Sequence, residues 1–436
     1  MVFFLLFALS VVVALHYYLW RKLVRATTRP GTRGRRLGSV AVIGAAVLLL
    51  GTFFGTRFLP HSVDRVLAWP GYLWMAVMFY LVVFLIVAEV PTLVARRWLA
   101  RQARTAPMPA AVAASGGLPA TAGSGVATAE PGFTTAEPGS TTEPGPTTES
   151  DLVTAEDRAV LESRRLFLAR GVAITAGLVA GGVTASGVGT ALGPPQLKRV
   201  QIPLARLPRA ADGLRVALVS DIHLGPLRGI GHTRRIVDMI NGLDADIVAI
   251  VGDLVDGSVA ELGPAAGPLR ELRARHGSYF VTGNHEYFSG YEEWITEVSS
   301  LGVAPLRNER VQLPNGVYLA GVNDVVGEAY GDAPDFDAAM ADRDPTRPVV
   351  LLAHQPVQAY EAAKRGADLQ LSGHTHGGQI WPFTYIVKAT GQPVVSGLGT
   401  VDGMPVYVTN GAGFWGPPVR VGAPPDISLV ELRSIQ

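Results

Sequence analysis

The chain has 436 residues, of which 48% are hydrophobic and 17% are charged, and its formal net charge is +1. So few charged residues are unusual for a wholly soluble protein, and part of the chain is therefore expected in a lipid bilayer. The balanced charge excludes nucleic-acid binding through a general basic field, so no nucleic-acid partner is expected. The chain has no cysteine, which excludes thiolate catalysis, disulfides and thiolate metal ligands.

Three apolar segments begin the chain, at residues 1–20, 37–56 and 66–94. Each can cross a hydrocarbon core of about 30 Å, which takes about 20 helical residues. The first loop is rich in arginine and the second is not, so the positive-inside rule predicts a cytoplasmic first loop and an external N-terminus. A cleaved signal peptide is the alternative for the first segment, but no basic residues precede it and no clear small-residue cleavage site follows. We predict a membrane region with three transmembrane helices over residues 1–98.

Residues 99–162 are mostly Ala, Gly, Thr, Pro and Glu with near-repeats of Thr-Ala-Glu-Pro-Gly, and we predict a disordered linker. In residues 163–198, two adjacent arginines precede a mildly apolar run. This segment resembles a twin-arginine export signal in front of a fourth transmembrane helix. The alternative is an ordinary basic flank at the cytoplasmic end of a helix. Both interpretations place residues 199–436 outside the cytoplasm.

Residues 199–436 alternate short apolar runs with amphipathic stretches, and suffice for one substantial core. Strands are predicted at 215–220, 246–251, 278–282, 317–322, 348–353, 368–372, 406–410 and 427–432. Helices are predicted at 232–241, 291–300 and 358–365. The pattern indicates an α/β fold in which helices flank a sandwich of two sheets, after an all-α transmembrane region.

Polar clusters directly follow five of these predicted strands. They contain Asp221, His223, Asp253, Asn284, His285, His354, His374 and His376. Ligands bind beyond the carboxyl ends of strands in open α/β sheets, so the clusters are expected to converge on one pocket. Taken singly, each residue has an ordinary explanation, such as an aspartate that caps a helix or a histidine in a turn.

The convergence of imidazole and carboxylate groups predicts a metal site. Five of the nine histidines of the chain lie in these clusters. Histidine and carboxylate ligands without thiolate suit manganese, iron or zinc. The ligands are too many for one tetrahedral centre, but they suit two ions about 3.5–4 Å apart that share a carboxylate.

The ordered series Asp-x-His, Gly-Asp, Gly-Asn-His-Glu, His and Gly-His-x-His resembles that of the calcineurin-like metallophosphoesterases, over residues 214–433. By that resemblance, one metal is held by Asp221, His223 and His376. The second is held by Asn284, His354 and His374. Asp253 would bridge both ions, and His285 would stabilise the phosphoryl group and protonate the leaving oxygen.

The motif Gly-His-Thr-His-Gly-Gly-Gln-Ile, with a membrane segment and twin arginines, resembles the bacterial membrane-associated branch of that family. Three spans before the export-like segment exceed the single anchor expected of this branch. The implied function is hydrolysis of phosphomonoesters or phosphodiesters by a hydroxide activated between two divalent ions, which are manganese, iron, zinc or a mixture. The alternative is a membrane-anchored sensor or assembly protein that binds metal and phosphate without hydrolysis. The complete ligand set and His285 favour the enzyme.

Aromatic residues near the last motif raise the question of the substrate. They are Trp381, Phe383, Tyr385, Phe414 and Trp415. They could line a substrate cleft or dip into the membrane interface, and ordinary packing is an equally weighted alternative. If they face the membrane, a lipid-linked phosphate or pyrophosphate is the expected substrate. The expected location is the cell membrane, with several spans and an extracytoplasmic catalytic domain, and the sequence does not indicate the oligomeric state.

Overall fold

The computed structural model describes residues 2–58, 61–105 and 155–435. Four long helices are α1 (Val2–Leu19, continued by a π-helical turn, Trp20–Arg25), α2 (Arg33–Phe58), α3 (His61–Thr105) and α4 (Ala155–Leu192). Four segments of these helices are long and apolar enough to cross a membrane: Leu6–Arg25, Arg33–Phe53, Val66–Val94 and Glu162–Leu192. Apolar helices therefore lie at the four predicted positions, and their individual passage through a membrane stays a prediction.

The helices extend into the predicted linker from both sides. Helix α3 continues to Thr105, and α4 begins at Ala155, so both ends of the 99–162 segment are helical. The reason is local, since the residues that follow the third span are mostly helix formers such as Ala, Arg and Gln. The rest of the predicted linker, residues 106–154, lies outside the described residues.

The membrane helices pack around an apolar cluster that contains Leu19, Leu49, Leu81 and Ala180. Polar groups tie α1 to α3 in two places. Lys22 Nζ lies 2.7 Å from a Glu89 carboxylate oxygen that also accepts a 2.7 Å hydrogen bond from Tyr18. Trp74 Nε1 donates to His16 Nε2 at 3.0 Å. These contacts fix the rotation of α1 about its own axis relative to α3.

Twelve strands, numbered in chain order, form two six-stranded sheets among the described residues. The first sheet contains, in spatial order, β1 (Gln196–Leu204), β12 (Asp426–Ser434), β2 (Leu214–Val219), β3 (Ile247–Val251), β4 (Ser278–Val281) and β5 (Ala304–Pro305). The second contains β10 (Gly397–Val401), β11 (Met404–Val408), β9 (Leu369–Ser372), β8 (Val349–Leu352), β7 (Tyr318–Gly321) and β6 (Glu309–Gln312).

The core lies between the two sheets and under the helices outside them. Residues such as Val216 and Leu218 of β2 meet Val350 and Leu352 of β8 in the inner layer. Shorter helices cover the outer faces or join the loops: α5 (Ile230–Asn241), α6 (Val259–Ala266), α7 (Asn284–Ser289), α8 (Tyr291–Ser300), α9 (Phe336–Met340), α10 (Ala359–Lys364) and α11 (Thr384–Ala389). The predicted two-sheet α/β sandwich is therefore confirmed.

Parallel pairing sets the position of the candidate site. Strands β2, β3 and β4 are parallel neighbours, and so are β7, β8 and β9. All five residues of β3 are buried, because the strand is covered on both faces. Its apolar run ends where the polar loop begins. The carboxyl ends of three strands thus meet at one edge of each sheet.

Strand β1 lies partly outside the predicted domain limit of residue 199. It begins at Gln196 and pairs with β12 along nine residues. Its sequence did not indicate a strand because Lys198 and Arg199 interrupt the apolar pattern. A charged strand at the edge of a sheet is common, since one of its sides faces solvent.

Candidate metal centre

The motif loops have a strained backbone where they leave the strands. Asp221, His223, Asp253, His374 and His376 adopt φ angles of 51°, 48°, 52°, 70° and 52°, in the left-handed region. Such a conformation is uncommon for residues other than glycine and costs about 1–3 kcal/mol each. The strain turns each side chain back toward the neighbouring loop, which explains why the polar groups meet.

Glycines allow these loops to touch. A Cβ on Gly373 would overlap the Ser220 hydroxyl and the Asp221 carboxylate. A Cβ on Gly252 would lie 2.6 Å from the nitrogen of Gly283, closer than real Cβ contacts. The Gly-His and Gly-Asp motifs therefore need glycine because of close packing between loops.

One cluster joins Asp221, His223 and His376, whose candidate ligand atoms all lie within 4.8 Å of one another. The Nε2 atoms of the two histidines are 3.0 Å apart, and Nε2 of His376 is 3.3 Å from Asp221 Oδ1. Asp221 also accepts a 3.0 Å hydrogen bond from the backbone N–H of His374, which joins two of the loops.

A second cluster joins Asp253, His354 and His374 within the same distance limit. Asn284 belongs beside it, because its Oδ1 lies 3.0 Å from Nδ1 of His374. The Nδ1 atom of His354 lies 2.7 Å from the carbonyl oxygen of Val251, so its Nε2 atom faces the cluster. The structure thus brings together all seven predicted ligands.

Asp253 lies between the two clusters. Its Oδ2 atom is 3.1 Å from Nε2 of His354 and 3.7 Å from Nε2 of His223. Although the first distance is short, Nε2 of His354 is buried and forms no hydrogen bond. A buried nitrogen that faces a carboxylate without a well-aligned hydrogen bond is the arrangement expected of two donors aimed at one cation. The residues present therefore fit a divalent metal ion.

Charge in the site also fits cations. Burial lowers the pKa of His354, yet the Asp253 and Asp221 carboxylates raise it well above its usual range. The same two carboxylates create a negative potential, which would also attract a metal ion. Burial, followed by the charge of His354, lowers the pKa of His374 to about 3. Burial and the Arg420 guanidinium likewise lower that of His376. Neutral imidazoles are the form that binds metals.

His285 also approaches the clusters, and a third possible group consists of His223, Asp253 and His285. Proximity alone does not separate His285 from the ligands. Both His285 and His223 line one cavity and contact Asp256 through Nδ1. The side chain of His285, however, is 17% exposed, whereas that of His223 is fully buried. Burial lowers the pKa of His285, but the Asp253 and Asp256 carboxylates outweigh that effect and raise it to about 9.

Asp256 is a site residue that the sequence analysis missed. Its Oδ1 atom lies 2.8 Å from Nδ1 of His223 and 2.7 Å from Nδ1 of His285, so one carboxylate orients both rings. Such a contact fixes the tautomer of a metal-binding histidine. Its place three residues after Asp253 in Gly-Asp-Leu-Val-Asp was the available signal.

Glu286 and Arg420 hold the loops from behind. The Glu286 carboxylate accepts hydrogen bonds from the backbone N–H groups of Gly283, Asp253 and Leu254, at 2.6–3.0 Å. The buried Arg420 guanidinium donates to the carbonyl oxygens of His376 and Asn410 at 2.8 and 2.9 Å. The contacts of Glu286 with Asp253 and Leu254, and those of Arg420, are not visible in the sequence, because these partners are distant along the chain.

The predicted aromatic group divides in the structure. Phe414 is buried, with the Arg228 guanidinium 3.5 Å from its ring centre. Phe383, Phe414 and Trp415 line the cavity beside the metal centre. Trp381 and Tyr385 are exposed. Three members thus line a cavity, and contact of the exposed members with the membrane interface stays a prediction.

A two-sheet α/β sandwich with His and Asp clusters beyond its strand ends defines a metallophosphoesterase-like domain. Residues 214–378 match the family described as calcineurin-like phosphoesterase. The chain is also 31% identical over 241 residues to an uncharacterized metallophosphoesterase of Aquifex aeolicus, covering 55% of this chain and 92% of that protein. The chain belongs to the calcineurin-like phosphoesterase family.

Two further relatives match a similar part of the chain, and one of them is named as a transmembrane protein. A Danio rerio protein named transmembrane protein with metallophosphoesterase domain is 38% identical over 260 residues, 57% of this chain and 59% of that protein. An uncharacterized metallophosphoesterase of Helicobacter pylori is 39% identical over 244 residues, 55% of this chain and 65% of its own length. The chain thus spans about three fifths of these two relatives. Because animal and bacterial proteins both match, the predicted bacterial branch stays a prediction.

Proposed function

We propose that this protein is a membrane-anchored phosphoesterase that hydrolyses phosphomonoesters or phosphodiesters with two divalent metal ions. The observation that carries the proposal is the position of Asp253. Its Oδ2 atom lies 3.1 Å from His354 and 3.7 Å from His223, which belong to different clusters. A carboxylate placed between two sets of donors is the geometry of a bridged two-metal site.

The ligands divide between the ions according to the clusters. Asp221, His223 and His376 would hold one ion, and Asn284, His354 and His374 the other. Two ions held in this way would act as Lewis acids on the phosphoryl group and on the attacking water. Manganese, iron and zinc all suit this set of nitrogen and oxygen donors.

His285 would protonate the leaving oxygen. Because its Nδ1 atom is held by Asp256, its Nε2 atom is the one left to give a proton to the substrate. An alkoxide is a poor leaving group, so a positioned acid speeds its departure. The partial exposure of the ring on the cavity wall supports contact with the substrate.

The catalytic domain would lie outside the cytoplasm in a multi-pass membrane protein. Arg170, near the start of the apolar segment Glu162–Leu192 of α4, donates to the carbonyl oxygen of Thr27, beside the arginine-rich first loop. The sandwich instead contacts the far end of α4, where Arg420 bonds Gly187. The sandwich and the basic loop are therefore at opposite ends of α4, and the positive-inside rule assigns the loop to the cytoplasm. Arg164 and Arg165 would serve either as a twin-arginine signal or as a basic flank.

The test uses the full-length protein and measures bound metal and hydrolysis of 4-nitrophenyl phosphoesters in the same samples. Replacing Asp253 with asparagine should lower metal content and turnover together, since it weakens both ion sites. Replacing His285 with alanine should preserve metal content and lower turnover by about 10²–10⁴-fold. A metal-loaded wild-type protein without turnover on any ester would favour a binding protein instead, and full turnover by His285→Ala would remove its assigned role.

A further inference from the structure

A cavity of about 1110 Å³ connects the candidate metal centre with the transmembrane helices. At one end, Asp253, His285 and His374 form part of its wall. At the other end, the wall consists of side chains from α2 and α3, namely Phe53, Tyr72, Met75, Ala76 and Phe79. The volume exceeds the roughly 300–1,000 Å³ of common small-molecule sites, so a larger ligand than a simple phosphoester fits.

The sandwich is packed onto the membrane helices where this cavity forms. The backbone N–H of Arg420 donates to the carbonyl oxygen of Gly187 in α4 at 2.9 Å. A Cβ on Gly187 would lie 2.8 Å from Val421 Cγ2, so glycine is needed for this close approach. Ile380 and Val421 also pack against the apolar cluster of the membrane helices. The wall supplied by α2 and α3 is therefore part of a built interface.

Polarity changes from one end of the cavity to the other. The metal-centre end carries carboxylates and imidazoles, whereas the five lining side chains from α2 and α3 are all apolar or aromatic. Phe383 and Val387 of the sandwich line the same cavity. A site with one ionic end and one apolar end fits an amphiphile, because each part of the ligand then leaves water for a matching surface.

Arg228 places a positive charge beside the same cavity. Its side chain lines the wall, and the residue is only 7% exposed. Its Nε atom donates to the carbonyl oxygen of His223 at 2.9 Å, while its NH1 group is buried and has no hydrogen-bond partner. The buried guanidinium therefore contributes positive charge beside the metal centre, which favours an anionic head group.

Exposed apolar residues lie beside the cavity, on and next to α11. Trp381, Tyr385 and Ile386 are 49%, 68% and 52% exposed. Aromatic side chains of this kind are enriched where proteins meet the polar layer of a bilayer. Their position next to Phe383 and Val387 therefore places the membrane surface close to the cavity.

We propose that α2 and α3 form the apolar half of the substrate site, and that the substrate is a membrane lipid with a phosphoester head group. The head group lies at the metal centre, where the nearby positive charge of Arg228 favours an anion. At least one long apolar chain lies along Met75 and Phe79. This inference rests on the proposed phosphoesterase function, and it gives the membrane region of residues 1–98 a part in substrate binding.

The first test compares two phosphodiesters that share a 4-nitrophenyl leaving group and differ in carrying a methyl or a hexadecyl chain. The full-length, metal-loaded protein is assayed in lipid nanodiscs. We expect a higher kcat/KM for the hexadecyl ester. Replacing both Met75 and Phe79 with alanine should lower the hexadecyl-to-methyl ratio by about tenfold, because apolar contact is lost. The control is Val87→Ala, since Val87 is a 61% exposed residue of α3 outside the cavity lining. It should keep the wild-type ratio.

The outcomes separate the two proposals. Hydrolysis of both esters with no preference for the long chain would overturn the lipid site and leave the phosphoesterase intact. Hydrolysis of neither ester, together with no hydrolysis of the monoester 4-nitrophenyl phosphate, would overturn the phosphoesterase.

A second measurement needs no turnover. It uses a hexadecylphosphonate with a photoreactive group at the chain end as the probe, and it maps the residues to which the probe cross-links. Cross-linking to α2 or α3 near Phe53, Met75 or Phe79 is expected. Labelling confined to other surfaces would overturn the lipid site even if the double alanine variant failed to fold.

Discussion

In the motif loops at the edge of the sandwich, five residues with left-handed backbone hold carboxylate and imidazole groups close to one another. In the membrane helices, polar groups instead meet as separate pairs on regular helix, as Lys22 does with Glu89. The first arrangement is strained and is stabilised by surrounding contacts, while the second costs little strain. We infer that substitutions in the motif loops lower the rate of hydrolysis. Substitutions in the polar pairs of the membrane helices instead lower stability or lipid binding.

The largest loss of activity is expected from a substitution at the point where the motif loops are in closest contact. In Gly373→Ala the new methyl group would displace the Asp221 carboxylate or the Ser220 hydroxyl. Misplacing a ligand by about 1 Å costs about 10²-fold in rate, and we expect at least that loss in kcat/KM. The control is Gly231→Ala in α5, where the added Cβ meets open space. Equal activity of both variants would show that the loops are not tightly packed.

An intermediate effect is expected at the carboxylate that orients two rings. Asp256→Asn should retain the fold and lower kcat by about 10–100-fold, as loss of an outer contact commonly does. Asp256 raises the pKa of His285. Its removal should therefore lower that pKa and shift the alkaline limb of the kcat–pH profile to lower pH. The control is Asp238→Asn on the exposed side of α5. An unchanged pH profile would contradict an effect of Asp256 on the pKa of His285.

The smallest effect is expected in the membrane helices. Glu89→Gln removes the charge facing Lys22, and both side chains are about one third exposed, at 37% and 31%. Pairs of this kind contribute about 0.5 kcal/mol, so the thermal midpoint in nanodiscs should fall by about 1–2 °C. Hydrolysis of the methyl ester should not change. A drop in turnover comparable to that of Asp256→Asn would remove the distinction between the two regions.

The site and the fold were predictable to different depths. The ligands are visible in the sequence because polar residues break apolar runs at the strand ends, as Asp221 does after β2. Asp256, Arg420 and the Lys22–Glu89 pair were missed, since their partners are distant along the chain and no periodic pattern marks them. Strand β1 was missed because an edge strand tolerates charge. The cavity wall on α3 depends on docking between regions, which local patterns do not describe.

The most direct measurement is electron paramagnetic resonance of the full-length protein loaded with Mn²⁺, together with metal analysis. We expect two ions per chain with an exchange-coupled signal, as is typical of ions about 3.5–4 Å apart that share a carboxylate, here that of Asp253. One ion per chain, or two ions without coupling, would contradict the shared carboxylate on which the proposed hydrolysis depends.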